Sequence, residues 1–248
     1  MRGLRKLIIV QAKLFLREPA AFFFTLVLPA MLILIFGSIF GNEPHPQYNQ
    51  RFGYIDLEVP GIAAIIIATV ALMGIPIATT QERDKKILRR YRATPLAPST
   101  YLIATVIVYF SMALAGMVIL ALIAKVLYGL RFQGSWISVF GGFTLSALAF
   151  FSLGYLVASL SPTARVAQVV GQFLFFPMMF LSGATFPPQM LPAGARRVMD
   201  FLPLTYAVRL LRGLWMGESW GSHLRQVGIL LVMLIVGTAV SSRMFRWE

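Results

Sequence analysis

Residues that could carry acid–base or metal chemistry are few and widely spaced in this sequence. The two histidines, His45 and His223, form no His-Glu-x-x-His zinc motif. The chain has no cysteine, so a thiolate metal site and a cysteine nucleophile are excluded. The acids Glu43, Asp56 and Glu58 would suit a metal site or a general acid–base pair, but we predict that they lie in a solvated loop. We expect no catalytic residue and no metal site in this chain.

A denser group of charges lies in residues 81–100, which read Gln-Glu-Arg-Asp-Lys-Lys-Ile-Leu-Arg-Arg-Tyr-Arg-Ala-Thr-Pro-Leu-Ala-Pro-Ser-Thr. Residues 82–92 place acids first and bases last, as the helix dipole favours, which predicts a short charged helix. Thr94 and Pro95 should end it, because the residue before a proline is disfavoured in the helical conformation. The simplest interpretation of these charges is that they anchor a loop on the inner side of a membrane.

Composition places these elements in a membrane protein. Of 248 residues, 58% are hydrophobic and 12% are charged, whereas soluble domains average about 45–50% apolar and about 25% charged residues. The net charge of +13 first points to nucleic acid as a partner. Because the charges lie between long apolar runs, however, anionic lipid explains them better than a nucleic-acid surface does. We expect no nucleic acid as a partner.

Six apolar stretches are long enough to cross a bilayer, and none contains a charged residue. This predicts an all-α polytopic membrane protein with a single transmembrane domain over residues 1–248. The predicted spans are residues 20–40, 60–80, 101–124, 136–160, 166–185 and 227–242.

The distribution of Lys and Arg predicts the orientation of the spans. Of 22 basic residues, five lie in residues 1–19 and six in residues 81–100. Cytoplasmic loops are enriched in Lys and Arg, so both termini should be cytoplasmic. Residues 187–226 carry five more basic residues on the side predicted to be outside. Long segments follow the rule less strictly.

The fifth apolar stretch is too long for one straight span. Residues 166–195 contain no charge but are interrupted by Pro177, Pro187, Pro188 and Pro192. We predict a kinked span, then a Pro-rich turn, then an external re-entrant segment that enters the outer membrane layer. The alternative is a plain hydrophobic external loop.

Residues 2–18 precede the first span and have an amphipathic pattern. Their apolar residues cluster on one side of a helical wheel, and the basic residues Arg5, Lys6, Lys13 and Arg17 lie on the other. Such a helix lies in the headgroup plane of a membrane, with its basic side toward anionic lipid. The alternative is that these charges only fix the topology.

Aromatic residues are concentrated in the fifth span. Phe173, Phe176, Met179 and Phe180 would line a path for an amphiphilic substrate, although packing against lipid is an equal alternative.

Other transport classes fit less well. Ion-coupled secondary transporters place ionisable residues inside their spans, and the six predicted spans have none. The chain also lacks a Gly-x-x-x-x-Gly-Lys-Ser/Thr phosphate loop, so any ATP chemistry must come from a partner.

Four passages resemble the type-2 permease family of ABC exporters. They are Arg17-Glu18-Pro19 with Pro29; Glu82-Arg83 with Leu88 and Thr94-Pro95-Leu96; residues 176–187 with Leu191-Pro192; and Leu202-Pro203-Leu204-Thr205-Tyr206 with Leu211-Arg212-Gly213. They extend from residue 17 to residue 213. The chain departs from the resemblance at Lys86, where many members have Gly.

The resemblance implies a permease subunit that pairs with a second copy or a close relative in the cytoplasmic membrane. Two cytoplasmic ATPase subunits would supply ATP and Mg²⁺, and this chain would bind no cofactor. Residues 81–92 would be a coupling helix that enters a groove on the ATPase through Glu82, Arg83, Leu88 and Arg92. The substrate would be amphiphilic, such as a drug, a lipid or a glycan. The alternative is an ATP-independent secondary transporter or another polytopic membrane protein.

Overall fold

The computed structural model describes residues 2–16, 19–44, 52–87, 98–186 and 191–244. Within these ranges the protein consists of helices and the loops that join them, without a β-strand. The predicted all-α fold is confirmed for this part of the chain. The α-helices are α1 (Arg2–Leu16), α2 (Pro19–Phe22), α3 (Leu28–Phe40), α4 (Tyr54–Thr69), α5 (Ile75–Asp84), α6 (Pro98–Tyr128), α7 (Trp136–Leu160), α8 (Ala164–Leu181), α9 (Ala193–Met199), α10 (Pro203–Trp215) and α11 (Leu224–Met244).

Six helical segments among the described residues are long and apolar enough to cross a membrane, which is the number predicted. The second of them has 31 residues, so at 1.5 Å per residue it is about 46 Å long. The hydrocarbon layer of a bilayer is only about 30 Å thick. The two ends of this span therefore extend beyond the apolar layer. The six segments are Phe23–Phe40, Tyr54–Asp84, Thr100–Tyr128, Trp136–Leu160, Ala164–Leu181 and Trp220–Met244.

The second span forms the centre of the bundle. In its most apolar stretch 83% of the residues are buried by other helices, compared with 17% in the sixth span. The sequence of α4 explains this position, because its residues from Ile62 to Ala68 are apolar on every side and all are inaccessible to solvent.

A π-helical turn precedes a proline in two of the spans. The turn Phe23–Val27 lies before Pro29, and the turn Val70–Gly74 lies before Pro76. In a regular α-helix the proline ring collides with the carbonyl oxygen four residues earlier. Both wider turns contain that carbonyl, so each span continues past its proline.

Two glycines allow neighbouring helices to approach the π-helical turn of the second span. A Cβ atom added to Gly154 of α7 would lie 2.1 Å from the main-chain oxygen of Ala71, and one added to Gly171 of α8 would lie 2.1 Å from that of Leu72. Both distances are far below van der Waals contact. The two helices therefore pack directly on the backbone of the second span, which only a residue without a side chain permits.

The bundle has two ends, which we name by residues of the second span. Gln11 of α1 and Tyr101 of α6 lie at the Glu82 end. Asn42 and Arg131 lie at the Asp56 end. Consecutive spans run in opposite directions between these ends, so α1 and the last turn of α11 share the Glu82 end.

The prediction that Asp56 and Glu58 lie in a solvated loop is wrong. Helix α4 begins at Tyr54, and both side chains are completely buried. Glu43 does lie at the surface. The spans were predicted as runs of uncharged residues, so these two acids fell outside the second span. In the fold, polar partners from distant segments offset the cost of burying the two carboxylates.

Candidate functional site

The Glu82 carboxylate connects three helices at one end of the bundle. Glu82 lies in the last turn of α5 and is 8% exposed. Gln11 of α1 donates a hydrogen bond of 2.9 Å from Nε2 to Oε1, and the Tyr101 hydroxyl of α6 donates to Oε2. A buried carboxylate needs such donors, because a desolvated acceptor without a partner is costly. Glu82 thus fixes the N-terminal helix to the second and third spans.

Arg83, the next residue, reaches the C-terminal end of α7. Its Nη1 donates to the main-chain oxygen of Ala158 at 3.4 Å, and its Nη2 donates to that of Ser161. The last carbonyls of a helix have no partner within the helix and carry partial negative charge. A cationic side chain is therefore well placed there, and Arg83 ties the second span to the fourth.

Asp84 contacts the start of α8. The main-chain N–H of Ala164 donates to Asp84 Oδ2 at 3.1 Å. Carboxylates are favoured at helix N-termini, where backbone N–H groups lack partners. Three consecutive side chains therefore hold the end of α5 against α1, α6, α7 and α8. We call Glu82, Arg83 and Asp84 with these partners the 82–84 junction.

The predicted continuous helix over residues 82–92 is wrong at its start. Helix α5 ends at Asp84, and Lys86 has a φ angle of +57°. That left-handed conformation is rare for residues other than glycine and ends the helix. Glycine adopts this conformation without steric cost, so the Gly that the resemblance implies at this position would fit the turn. Glu82 and Arg83 thus belong to the second span, not to a separate exposed helix.

The remaining residues predicted for the coupling helix cannot be placed. Leu88, Arg92, Thr94 and Pro95 lie outside the described residues.

Helix α1 packs on the bundle through one face. Leu7, Gln11 and Phe15 recur every four residues and are buried. The Phe15 ring meets Tyr109 of α6 edge-on at 5.7 Å between centroids. Arg5 and Lys13 are exposed. Lys6 lies in the same helix, whereas Arg17 lies outside the described residues. That α1 lies in the headgroup plane stays a prediction.

A cavity of 340 Å³ lies between α1, α5 and α6 next to the junction. Apolar side chains from Leu14, Phe15 and Ala78 line one part of it, and Gln81 and Lys85 line another. The 82–84 junction therefore borders a cavity, because Gln11 and Glu82 also line it.

The aromatic residues predicted to line a substrate path are mostly on the outside of this chain. Phe173 is 76% exposed, Phe176 and Phe180 are also exposed, and Met179 is buried. Phe186 stacks on Phe180 with 6.5 Å between ring centroids. The exposed face of α8 therefore faces lipid or a second protein, and the described part of this chain does not enclose it.

The Asp56 carboxylate organises the opposite end of the bundle. It accepts hydrogen bonds from the N–H of Gly53 at 2.9 Å, from Asn42 Nδ2 at 2.9 Å and from the N–H of Arg131 at 2.8 Å. The carboxylate thus caps the start of α4 and joins it to the loops after α3 and α6. This role is structural, and no group of three or more His, Asp or Glu side chains suited to a metal occurs among the described residues.

Arg212 was missed as a functional candidate by sequence reasoning. Its Nη2 lies 3.9 Å from Glu58 Oε2, its Nε donates to the main-chain oxygen of Leu57 at 3.1 Å, and its Nη2 donates to that of Gly183 at 3.1 Å. Among the described residues, no group donates a hydrogen bond to either Glu58 oxygen. Arg212 thereby joins α10, the start of α4 and the segment after α8. Its position in the fourth resembling passage was the available signal, but the partner is 154 residues away in sequence.

The residues Gly217-Glu218-Ser219-Trp220-Gly221 have the spacing of a serine nucleophile elbow. That motif requires a turn between a strand and a helix, whereas these residues join α10 to a 3₁₀ turn, Trp220–His223. The Ser219 hydroxyl lies 3.3 Å from that of Ser222, and His223 pairs with Glu218 instead. The match is therefore not a hydrolase site.

Comparison with known protein families decides the class. A family described as ABC-2 type transporter matches residues 3–216, which is most of the chain. The chain belongs to the ABC-2 type transporter family. It is a membrane permease of this family and a multi-pass protein of the cell membrane. The resemblance stated from the sequence is confirmed.

Individual relatives support the same class. The chain is 32% identical over 102 residues to nodulation protein J of Rhizobium leguminosarum bv. viciae, covering 41% of this chain and 39% of that protein. It is 22% identical over 183 residues to YbhS of Escherichia coli (strain K12), a probable multidrug ABC transporter permease, covering 73% of this chain and 48% of YbhS. The chain thus spans less than half of these two relatives. A putative transport permease, ycf38 of Cyanophora paradoxa, is 23% identical over 258 residues, covering 98% of this chain and 88% of ycf38.

Proposed function

We propose that this ABC-2 permease is the membrane subunit of an ATP-driven exporter in which the 82–84 junction transmits the movement of an ATPase to the spans. The observation that carries the proposal is the connection of three consecutive side chains to four other helices. A displacement of the chain at Lys86 acts on all of them together, because the junction lies immediately before it.

The Glu82 end is the cytoplasmic side in this proposal. Eleven of the 22 basic residues lie in residues 1–19 and 81–100, and the described parts of these two segments lie at this end. A pair of cytoplasmic ABC ATPase subunits would bind ATP and Mg²⁺ and dock on the loop that contains Leu88, Arg92, Thr94 and Pro95. The exposed basic side of α1, with Arg5 and Lys13, would flank this docking site and contact anionic lipid.

ATP binding would shift the permease between two states only if the ATPase holds the loop differently in each. The cavity between α1 and α5 gives the end of the second span room to move. The π-helical turn Val70–Gly74 in the same span is a bending point within the membrane.

A second permease copy would complete the transport path. The exposed phenylalanines of α8, Phe173, Phe176 and Phe180, supply an apolar face that the described residues of this chain leave uncovered. Two such faces would enclose a route for a molecule with a large apolar part. The segment after α8 would close this route on the outside as a re-entrant element, held by Arg212.

The proposed cargo is amphiphilic, of the drug, lipid or glycan type. Support comes from the apolar character of the exposed faces and from YbhS, described as a probable multidrug permease. The residues themselves specify no single substrate.

Ion-coupled secondary transport is the second candidate, and one observation favours it. Glu58 lies inside the second span, and neither of its oxygens accepts a hydrogen bond from the part of the chain that the structure describes. The second span therefore contains an ionisable residue, and the absence of such residues no longer counts against ion-coupled transport. A buried carboxylate is the usual site of a coupling ion.

Reconstitution into proteoliposomes distinguishes the two candidates. The chain is reconstituted with and without ABC ATPase subunits of the same genome, and fluorescent amphiphiles are followed under ATP or under an imposed proton gradient. The exporter proposal predicts transport only with the ATPase and ATP, and loss of transport when the phosphate-loop lysine of the ATPase is replaced. Transport driven by the proton gradient without the ATPase would contradict it.

A further inference from the structure

Four arginines lie at the surface of the Asp56 end, on three different helices. They are Arg196 and Arg197 of α9, Arg209 of α10 and Arg225 of α11. They belong to the segment 187–226, which carries five basic residues on the side where the topology rule predicts few. The fifth, Arg212, is accounted for by its buried contacts with Glu58 and Gly183. The other four need a different explanation.

Among the described residues, one of these four arginines has an acidic partner. Asp200 pairs with Arg209 at 2.8 Å, and Glu218 pairs with His223 at 2.8 Å. Throughout the part of the chain that the structure describes, Arg196, Arg197 and Arg225 form no ion pair with a carboxylate. Arg196 instead donates from Nε to the main-chain oxygen of Leu191 at 3.0 Å. The surface therefore keeps an excess of positive charge.

Tyr206 holds the three helices together beneath this charge. Its hydroxyl donates to the main-chain oxygen of Asp200 at 2.5 Å. The guanidinium carbon of Arg225 lies 5.9 Å from the centre of its ring, within the range of a cation–π contact. Thr205 adds a hydrogen bond of 2.6 Å from its hydroxyl to the main-chain oxygen of Met199. The arginines thus project from a fixed framework, which lowers the entropic cost of binding a ligand.

Exposed apolar side chains accompany the arginines. Phe201 is 84% exposed and Val198 is 46% exposed. Both lie within four residues of Arg197, at the end of a bundle whose spans cross a membrane. Basic side chains next to exposed apolar ones are typical of segments that lie at a membrane interface. Guanidinium groups match phosphate oxygens with paired hydrogen bonds.

We propose that Arg196, Arg197, Arg209 and Arg225 form a surface that binds the phosphate headgroups of anionic phospholipids in the leaflet at the Asp56 end. Phe201 and Val198 enter the apolar edge of the same leaflet. Because the surface is positively charged, we expect it to bind an anionic lipid in preference to phosphatidylcholine, which is zwitterionic and has no net charge. The surface does not depend on ATP or on the identity of the transported substrate.

The test uses a fluorescent label at Gly194. The chain has no cysteine, so Gly194→Cys creates a single labelling site. A Cβ atom there meets nothing within 4 Å. The labelled full-length protein is reconstituted in phosphatidylcholine, and quenching is measured while brominated phosphatidylglycerol or brominated phosphatidylcholine is titrated in. The ratio of the two association constants reports the preference for anionic lipid beside α9.

The proposal predicts a clear preference for phosphatidylglycerol in the labelled parent and its loss in the triple variant R196Q/R197Q/R225Q. Each basic residue near an anionic surface contributes about five-fold in binding, so the ratio should fall at least about ten-fold. The matched variant K13Q/R165Q/R243Q removes three exposed charges at the other end and should keep the ratio of the parent. Circular dichroism of all variants should be identical, because the replaced side chains are exposed.

Three results would overturn the proposal. One is equal quenching by the two lipids in the parent protein, and another is a preference that survives in the triple variant. The third is release of phosphatidylglycerol by millimolar inorganic phosphate, which would show that the surface binds free anions and not a lipid.

Discussion

Gln11 and Glu82 are 71 residues apart in the sequence, yet the Gln11 amide donates a buried hydrogen bond of 2.9 Å to the Glu82 carboxylate. This contact joins the helix before the first span to the end of the second span. It makes α1 part of the 82–84 junction and not only a topology signal.

Replacing Gln11 with Leu should destabilise the protein. The substitution removes one of the two side-chain donors to a buried carboxylate and leaves one of its oxygens unsatisfied, at a cost of about 1–3 kcal/mol. Thermal unfolding in detergent, followed by circular dichroism, measures this effect. Gln168→Leu, at an exposed position of α8, should leave the midpoint unchanged. Equal midpoints for the two variants would show that the Gln11–Glu82 bond does not stabilise the fold.

Alanine at Gly154 or Gly171 should disrupt the bundle. The added methyl group would lie 2.1 Å from a main-chain oxygen of the second span, and backbone cannot yield as a flexible side chain does. Overpacking of this kind costs about 1–3 kcal/mol or more. Gly228→Ala is the matched control, because its Cβ would meet nothing within 4 Å. The control should be as stable as the parent in the same unfolding assay, while both test variants lose stability or fail to fold. An unchanged G171A variant would refute the close contact.

Glycine at position 86 should stabilise the turn after α5. Lys86 holds a φ angle of +57°, and this conformation costs a residue with a side chain about 1 kcal/mol. Lys85 has a φ angle of −79°, so Lys85→Gly gains nothing and should lower stability slightly. The two variants differ by one position and remove the same charge. A lower midpoint for K86G than for K85G would contradict the left-handed turn.

Arg212→Leu should be much more damaging than Arg209→Leu. Arg212 is the ion-pair partner of the buried Glu58, and removing one member of a buried pair costs about 3–5 kcal/mol. Arg209 pairs with Asp200 at the surface, where an ion pair contributes about 0–1 kcal/mol. The double variant E58L/R212L removes both buried charges and should recover part of the lost stability. Equal unfolding temperatures for R212L and R209L would show that the Glu58–Arg212 ion pair does not stabilise the fold.

The sequence was sufficient to predict the all-α fold and the number of spans, because apolar length is a local property. It was not sufficient for the ends of the second span. Asp56 and Glu58 look like loop residues in isolation, and only Asn42, Arg131 and Arg212, which come from distant segments, make their burial possible.

The candidate site was predictable in part for the same reason. The charge density of residues 81–100 drew attention to Glu82 and Arg83. The local sequence, however, predicted that both residues lie in a separate charged helix. Their partners Gln11, Tyr101 and Ser161 are defined only by the packing of α1, α6 and α7 around α5. The left-handed turn at Lys86 was equally hidden, because lysine carries no preference for it.

The number of substrate molecules exported per ATP hydrolysed tests the central claim most directly. The permease is reconstituted with its ATPase subunits, either as wild type or as the double variant Glu82→Gln, Arg83→Gln. We expect the variant still to bind the ATPase and to support ATP hydrolysis. Export per ATP should fall at least about ten-fold, because the link between the loop and the helices is weakened by more than about 1.4 kcal/mol. Export per ATP equal to that of the wild type would contradict the role of the 82–84 junction.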